Sequence, residues 1–289
     1  MPVEESFATA ADGTRIWWRS VGSGPAVVLT DGIGCAGFIW RRLFPALAER
    51  QRVIHWNYRG HGRSESPRDL ARSTIDDCVG DLYAVLDAAG EQSAILVGHS
   101  MGVQVCLEAH RRAAHRVRAL VLGCGAPGRL LDTFHGGRTL ATVFPLLKEL
   151  VVAFPGAARW GFRWLVPTEP VVWFARWSEV NRELLDRRDL EQYLAEASQV
   201  DPQVFVRMLS SAAAHDVRDH LAAIDVPTLV IAAERDTFTP IGLSLRMHAA
   251  IRGSELLFLP AGSHTGPLEY ADLVTETVRR FVAQRTSPP

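Results

Sequence analysis

The sequence predicts an α/β fold: a mostly parallel, twisted central sheet with helices on both faces and a helical insertion over one end. Three observations predict it. Short, wholly apolar runs recur along the chain, and such runs suit parallel strands covered on both faces. Helix-period patterns separate them, so successive strands are joined by right-handed crossovers. From about Gly125 to Ile224 the strand signal stops, and helical stretches with many aromatics replace it. The expected organisation is a first core part (1–125), a helical cap (126–224) and a second core part (225–289).

Taken in order, Ser6 to Ala10 and Arg15 to Val21 flank the turn pair Asp12-Gly13 and read as an antiparallel hairpin. Ala26 to Thr30 is a continuous apolar strand broken by Gly32 and Gly34, and Val53 to Trp56 is a second, ended by Arg59-Gly60-His61-Gly62. Ile75, Val79, Leu82 and Leu86 recur at helical spacing, with Ser73 as N-cap and Asp76 three residues on. Ala94 to Val97 is a strand ending at Gly98, followed by a helix over Val103 to Ala114. Arg118 to Leu122, Thr228 to Ala232 and Glu255 to Leu259 complete the strands, and Tyr270, Val274, Val278 and Phe281 mark a last helix. Arg285 to Pro289 read as a frayed tail.

Composition narrows the function. The 289 residues are 47% hydrophobic and 22% charged, as in an ordinary globular protein. The 31 basic and 32 acidic residues nearly cancel, which gives no electrostatic case for nucleic acid. Cys35, Cys78, Cys106 and Cys124 form no C-x-x-C pair and no Cys/His cluster of zinc type, and Cys106 and Cys124 read as buried thiols. A reducing cytoplasm is the expected location. The first residues lack the basic start and apolar stretch of a secretory signal. The longest apolar region, Leu140 to Phe162, is interrupted by Pro145, Lys148, Glu149 and Pro155 and does not suit a single membrane span.

The chemistry is announced by Gly98-His99-Ser100-Met101-Gly102, a G-x-S-x-G motif. Alone it is weak, since a chain of this length contains one by chance with a probability of about a tenth. Its context is informative: it follows an apolar strand and precedes a helix, where a nucleophile elbow must lie. Such a turn exposes the serine hydroxyl over a helix N-terminus, whose unpaired N–H groups face a developing oxyanion. The bland alternative is a glycine-rich turn with a helix-capping serine.

On these residues the chain resembles the α/β-hydrolase superfamily over almost its whole length, nearest to cap-bearing esterases, haloperoxidase-like enzymes and C–C hydrolases. The resemblance implies an elbow serine, then an acid, then a histidine near the C-terminus. His264 follows a strand and precedes the last helix, where the family places its histidine, and it has the best context of ten histidines. Asp236 follows the strand Thr228 to Ala232; its bland reading is a helix N-cap, and Glu234 is the competing acid. Some relatives carry the acid after an earlier strand, but Gly123-Cys124-Gly125-Ala126-Pro127 contains none.

The resemblance also implies two oxyanion donors, the Met101 N–H and the Ile33 N–H of Asp31-Gly32-Ile33. Asp31 stands where the family usually has histidine, and a carboxylate there opposes an oxyanion unless it is paired or turned away. Asn57-Tyr58-Arg59-Gly60-His61-Gly62-Arg63-Ser64 resembles the family's D-x-R-G-x-G-x-S loop, with asparagine for aspartate, and reads as structural.

The insertion carries Phe134, Phe144, Phe154, Trp160, Phe162, Trp164, Trp173, Phe174 and Trp177, an apolar roof over the centre or the packing of the cap itself. Arg159, Arg163, Arg176 and Arg182 interleave with them and read as a solvated face. The expected function is hydrolysis of a carboxylic ester of a small to medium hydrophobic substrate, with no cofactor and no metal. C–C bond cleavage, perhydrolysis or acyl transfer by the same residues remain alternatives, as does a ligand-binding receptor without turnover. Nothing in the sequence decides between a monomer and a homodimer.

Overall fold

The computed structural model describes residues 3–129, 139–178 and 180–286, with side chains except at 139–141, 174–178 and 286. Phe134 and the tail residues 287–289 lie outside the described residues, as do the side chains of Phe174, Arg176 and Trp177.

The strands are β1 (Val3–Thr9), β2 (Arg15–Val21), β3 (Ala26–Thr30), β4 (Arg52–Trp56), β5 (Ala94–His99), β6 (Val117–Gly123), β7 (Thr228–Ala233) and β8 (Glu255–Leu259). They form one sheet in the order β1-β2-β4-β3-β5-β6-β7-β8. β1 and β2 pair antiparallel in the expected hairpin, β2 meets β4 antiparallel, and the other pairings are parallel. The fold class is therefore the one the sequence predicts. Every residue of β3, β5 and β7 is buried, which is why these runs have no polar alternation. Each fully buried valine, leucine or isoleucine contributes about 1.5–3 kcal/mol. β8 departs from this pattern. It is the sheet edge, and Leu256 and Phe258 are exposed despite its apolar sequence.

The helices are α1 (Leu43–Ala48), α2 (Ile75–Ala88), α3 (Met101–Arg112), α4 (Thr139–Ala153), α5 (Pro155–Leu165), α6 (Glu169–Ser178), α7 (Arg187–Ser198), α8 (Pro202–Ala214), α9 (Gly242–Ala250), α10 (Gly266–Glu269) and α11 (Ala271–Thr286). α2 is capped one residue later than its sequence suggested. Thr74 Oγ1 accepts the Asp77 N–H and Asp77 returns the bond to the Thr74 N–H, while the expected cap Ser73 is buried. Both pairs have the capping-box spacing, and the reciprocal pair is the one that leaves Ile75 facing the core. α3 begins at Met101, directly at the elbow, rather than at Val103. Arg285, expected in the tail, lies in α11 and pairs with Glu255 at 2.6 Å.

α4 to α8 fall between β6 and β7, within the stretch where the strand signal stops. Pro145 stays inside α4, and Phe154 separates α4 from α5. Among the described residues, no helix is long and apolar enough to cross a membrane. The aromatics of this stretch divide. Phe144 is buried and Phe162 meets Phe205 edge-on at 5.5 Å, but Phe154, Trp160, Trp164 and Trp173 are at least 60% exposed. Those four therefore face solvent, and an inward apolar roof is not built from them. Arg159 lies 3.9 Å from Asp201. All four cysteines are buried and unpaired in disulfides.

Candidate active site

Ser100 follows β5 and precedes α3, with φ 56° and ψ −119°. Few side chains tolerate that backbone, and the strain costs about 1–3 kcal/mol. The flanking glycines make the turn possible. A Cβ at Gly98 would lie 2.5 Å from the Gly102 carbonyl oxygen, and one at Gly102 would lie 2.4 Å from the Thr30 oxygen. Both contacts are with backbone, so neither can give way. β5, β3 and α3 can thus meet only where these residues lack side chains.

His264 sits between β8 and α10, and its Nε2 is 2.9 Å from Ser100 Oγ. Its Nδ1 is 3.0 and 3.1 Å from the two carboxylate oxygens of Asp236, which follows β7. A carboxylate only accepts hydrogen bonds, so Nδ1 carries the proton and Nε2 is left to accept from the serine hydroxyl. Asp236 is itself fixed. Oδ1 accepts the N–H groups of Phe238 at 2.9 Å and Thr239 at 2.7 Å, and Oδ2 accepts the Thr239 hydroxyl at 2.7 Å. The alternative role as cap of the next helix is not taken up, because α9 starts six residues later, after Ile241. Glu234, the competing acid, is exposed and accepts the Ala261 N–H at 2.6 Å.

The loop after β3 runs beside the serine. A Cβ at Gly32 would lie 3.0 Å from Ser100 Cβ and 3.5 Å from its Oγ. Gly34, Cys35, Ala36 and Phe38 donate their amides to His61, Gly32 and Glu196, whereas the Ile33 N–H meets no acceptor among the described residues. Met101 opens α3, and the first N–H groups of a helix have no partner within it. Asp31 is paired through one of its carboxylate oxygens. Its Oδ2 is 2.8 Å from His55 Nε2, with both side chains 1% exposed.

Three features had no local signal in the sequence, and a fourth, His61, belongs to the loop read as structural. Phe238 stacks on His264 with centroids 4.8 Å apart. Glu269 accepts the Ser263 N–H at 2.7 Å and the Asn181 N–H at 2.9 Å, bracing the His264 loop from α10. His99 donates from Nε2 to the His264 carbonyl oxygen at 2.9 Å; burial, followed by the nearness of His264, pushes its pKa down to about 3 and keeps it neutral. His61 accepts the Gly34 N–H through Nε2 at 3.1 Å and faces the Arg59 carbonyl oxygen through Nδ1 at 3.1 Å, its pKa lowered to about 4 by burial. Arg59 is structural as expected: it grips Asp81 with two hydrogen bonds of 2.6 and 2.8 Å in the core. Chemically, the site joins a hydroxyl, an imidazole with a defined tautomer and a carboxylate held by its own hydrogen bonds.

A family model described as the alpha/beta hydrolase fold matches residues 25–270. A protein of Azorhizobium caulinodans named "Putative carbamate hydrolase RutD" is 28% identical over 270 residues, covering 93% of this chain and 95% of its own. The structure is similar to that of a bromoperoxidase from Bacillus anthracis, with a TM-score of 0.80 at 22% identity over 97% of this chain and 100% of that one. It is also similar to the esterase EaEST from Exiguobacterium antarcticum, with a TM-score of 0.78 at 23% identity over 98% and 100% of the two chains.

Proposed function

The chain belongs to the α/β-hydrolase fold family, and on that premise we propose that it is a serine hydrolase cleaving a carboxylic ester of a small to medium hydrophobic substrate. The observation that carries this reading is the unbroken hydrogen-bond series from Ser100 through His264 to Asp236, begun at a strained serine. Ser100 Oγ attacks the carbonyl carbon while His264 Nε2 takes its proton, and Asp236 stabilises the resulting imidazolium. The N–H groups of Met101 and Ile33 hold the oxyanion. The alcohol leaves with the proton from His264, and an acyl-enzyme remains. His264 then takes a proton from water as its oxygen attacks the acyl carbon; the Oγ–acyl bond breaks, His264 returns the proton to Ser100 Oγ, and the acid is released.

Residues 126–224 act in this reading as a cap over the carboxyl ends of the strands. Phe205 supports an apolar acyl or alcohol group, since its ring would lie 3.5 Å from a Cβ at Gly34 in the oxyanion loop. Carbamates are a second substrate class for the same steps, favoured by the name of the Azorhizobium relative, because a carbamate carbonyl accepts the same attack.

Labelling with a fluorophosphonate, peptide mapping and a screen of p-nitrophenyl esters of graded length beside p-nitrophenyl carbamates test the proposal. Labelling at Ser100 and turnover that are both lost in Ser100→Ala are expected. Full esterase activity in that variant would overturn it. Medium acyl chains should be cleaved faster than acetyl, and carbamate turnover without ester turnover would shift the reading to the second class.

A further inference from the structure

The loop that carries the Ile33 amide is held from two sides. On the core side, His61 Nε2 accepts the Gly34 N–H at 3.1 Å. On the other side stands Glu196 of α7, about 160 residues away in sequence. Its carboxylate accepts the Ala36 N–H at 2.7 Å and the Phe38 N–H at 3.2 Å. α7 and α8 also lie beside the loop, since a Cβ at Gly34 would stand 3.5 Å from Ala197 Cβ and from the Phe205 ring. A salt bridge between Arg41, just past the loop, and Asp189 of α7 ties the same two segments.

From this geometry we propose that Glu196 is a positioning residue, through which the helical insertion sets the place of the Ile33 N–H donor over Ser100. The inference rests on the serine-hydrolase reading. A carboxylate shared by two amides fixes the direction of the Cys35–Ala36 and Gly37–Phe38 peptide planes more tightly than packing does. At the other end of the loop Gly32 lies close to Ser100, since a Cβ there would stand 3.0 Å from Ser100 Cβ. A shift of α7 therefore moves the loop, and with it one of the two donors. The insertion then contributes to the chemical step itself, beyond covering the substrate.

Two variants, Glu196→Gln and Glu196→Ala, test this with three measurements. The first is kcat and KM on the best ester. The second is inhibition by an alkyl boronate, whose tetrahedral adduct on Ser100 needs the same donors as the oxyanion. The third is hydrogen exchange over residues 31–40. Displacement of one donor should lower kcat about ten- to a hundredfold in Glu196→Ala, weaken boronate in proportion and leave KM within about twofold. Glu196→Gln keeps one acceptor and should fall between the wild type and Glu196→Ala. Exchange should quicken over 31–40 and stay unchanged around Ser100.

Unchanged exchange over 31–40 in both variants overturns the proposal. So does a raised KM with boronate affinity intact, which marks a role in cap packing alone. The exchange readout needs no substrate, so it separates failure here from failure of the ester-hydrolase reading, which shows as a wild type that neither turns over esters nor labels at Ser100.

Discussion

Glu269 accepts the Ser263 amide at 2.7 Å, one residue before His264. The same carboxylate accepts the Ser263 hydroxyl, the Thr265 hydroxyl at 3.0 Å and the Asn181 N–H at 2.9 Å, while only 8% exposed. Its removal leaves several buried donors without an acceptor, each costing about 1–3 kcal/mol. Glu269→Ala should therefore lose about 2–4 kcal/mol of stability in urea titration. It should also lower kcat, because the His264 backbone is no longer braced. Stability within about 0.5 kcal/mol of wild type would show that these bonds are replaced by water.

Asp236→Asn keeps the size of the side chain and an oxygen for the Phe238 and Thr239 amides. It removes the charge opposite His264 Nδ1 and can present an amide N–H there, which stabilises the wrong tautomer. kcat should fall about 10³- to 10⁴-fold, with KM changed by no more than about threefold. Steady-state kinetics and a melting curve on the same preparation check this. A loss of stability that matches the loss of activity would assign Asp236 a structural role only.

How much of this site could be read in the sequence depends on how local each signal is. Ser100, His264 and Asp236 each sit in a loop directly after an apolar strand, and parallel strands bring such loops to one edge of the sheet. The partners that fix them were not legible. Glu196 meets Ala36 across the insertion, and His55 meets Asp31 across two strands, so neither pairing has a spacing that marks it. Composition likewise counts aromatics without giving their direction, so it left a roof and cap packing both open for Trp160 and Trp164, which face solvent. Thr74 rather than Ser73 caps α2 for a similar reason, since neighbouring residues offer the same cap and core packing chooses between them.

Acid should destabilise the fold through two buried histidines. Burial lowers the pKa of His61 to about 4 and of His99 to about 3, from an ordinary value of 6.5. Below about pH 6.5 the unfolded chain binds protons at both positions, while the folded chain does not until pH 4 or 3. Their contribution is therefore complete above pH 6.5 and is lost as the pH falls through this window. His61→Gln retains an acceptor for the Gly34 amide but cannot titrate. Its stability should fall less steeply between pH 6 and 4.5, by about 1.4 kcal/mol per pH unit. Parallel urea-derived stability curves for the variant and wild type would contradict it.

The strained backbone at Ser100 separates by stability two variants that activity does not distinguish. Alanine and glycine both remove the nucleophile and the bond to His264, so both variants should be inactive. They differ in their tolerance of φ 56°, ψ −119°, which a Cβ makes costly and a glycine accepts. Relief of about 1–3 kcal/mol of strain outweighs the roughly 0.5–1 kcal/mol that glycine loses through its freer unfolded chain. Ser100→Gly should therefore be more stable than Ser100→Ala by about 1 kcal/mol, read from urea titrations of the two inactive proteins. If alanine is instead the more stable, the elbow holds no strain at residue 100, and the geometry that presents the hydroxyl to His264 is cheaper than its dihedral angles imply.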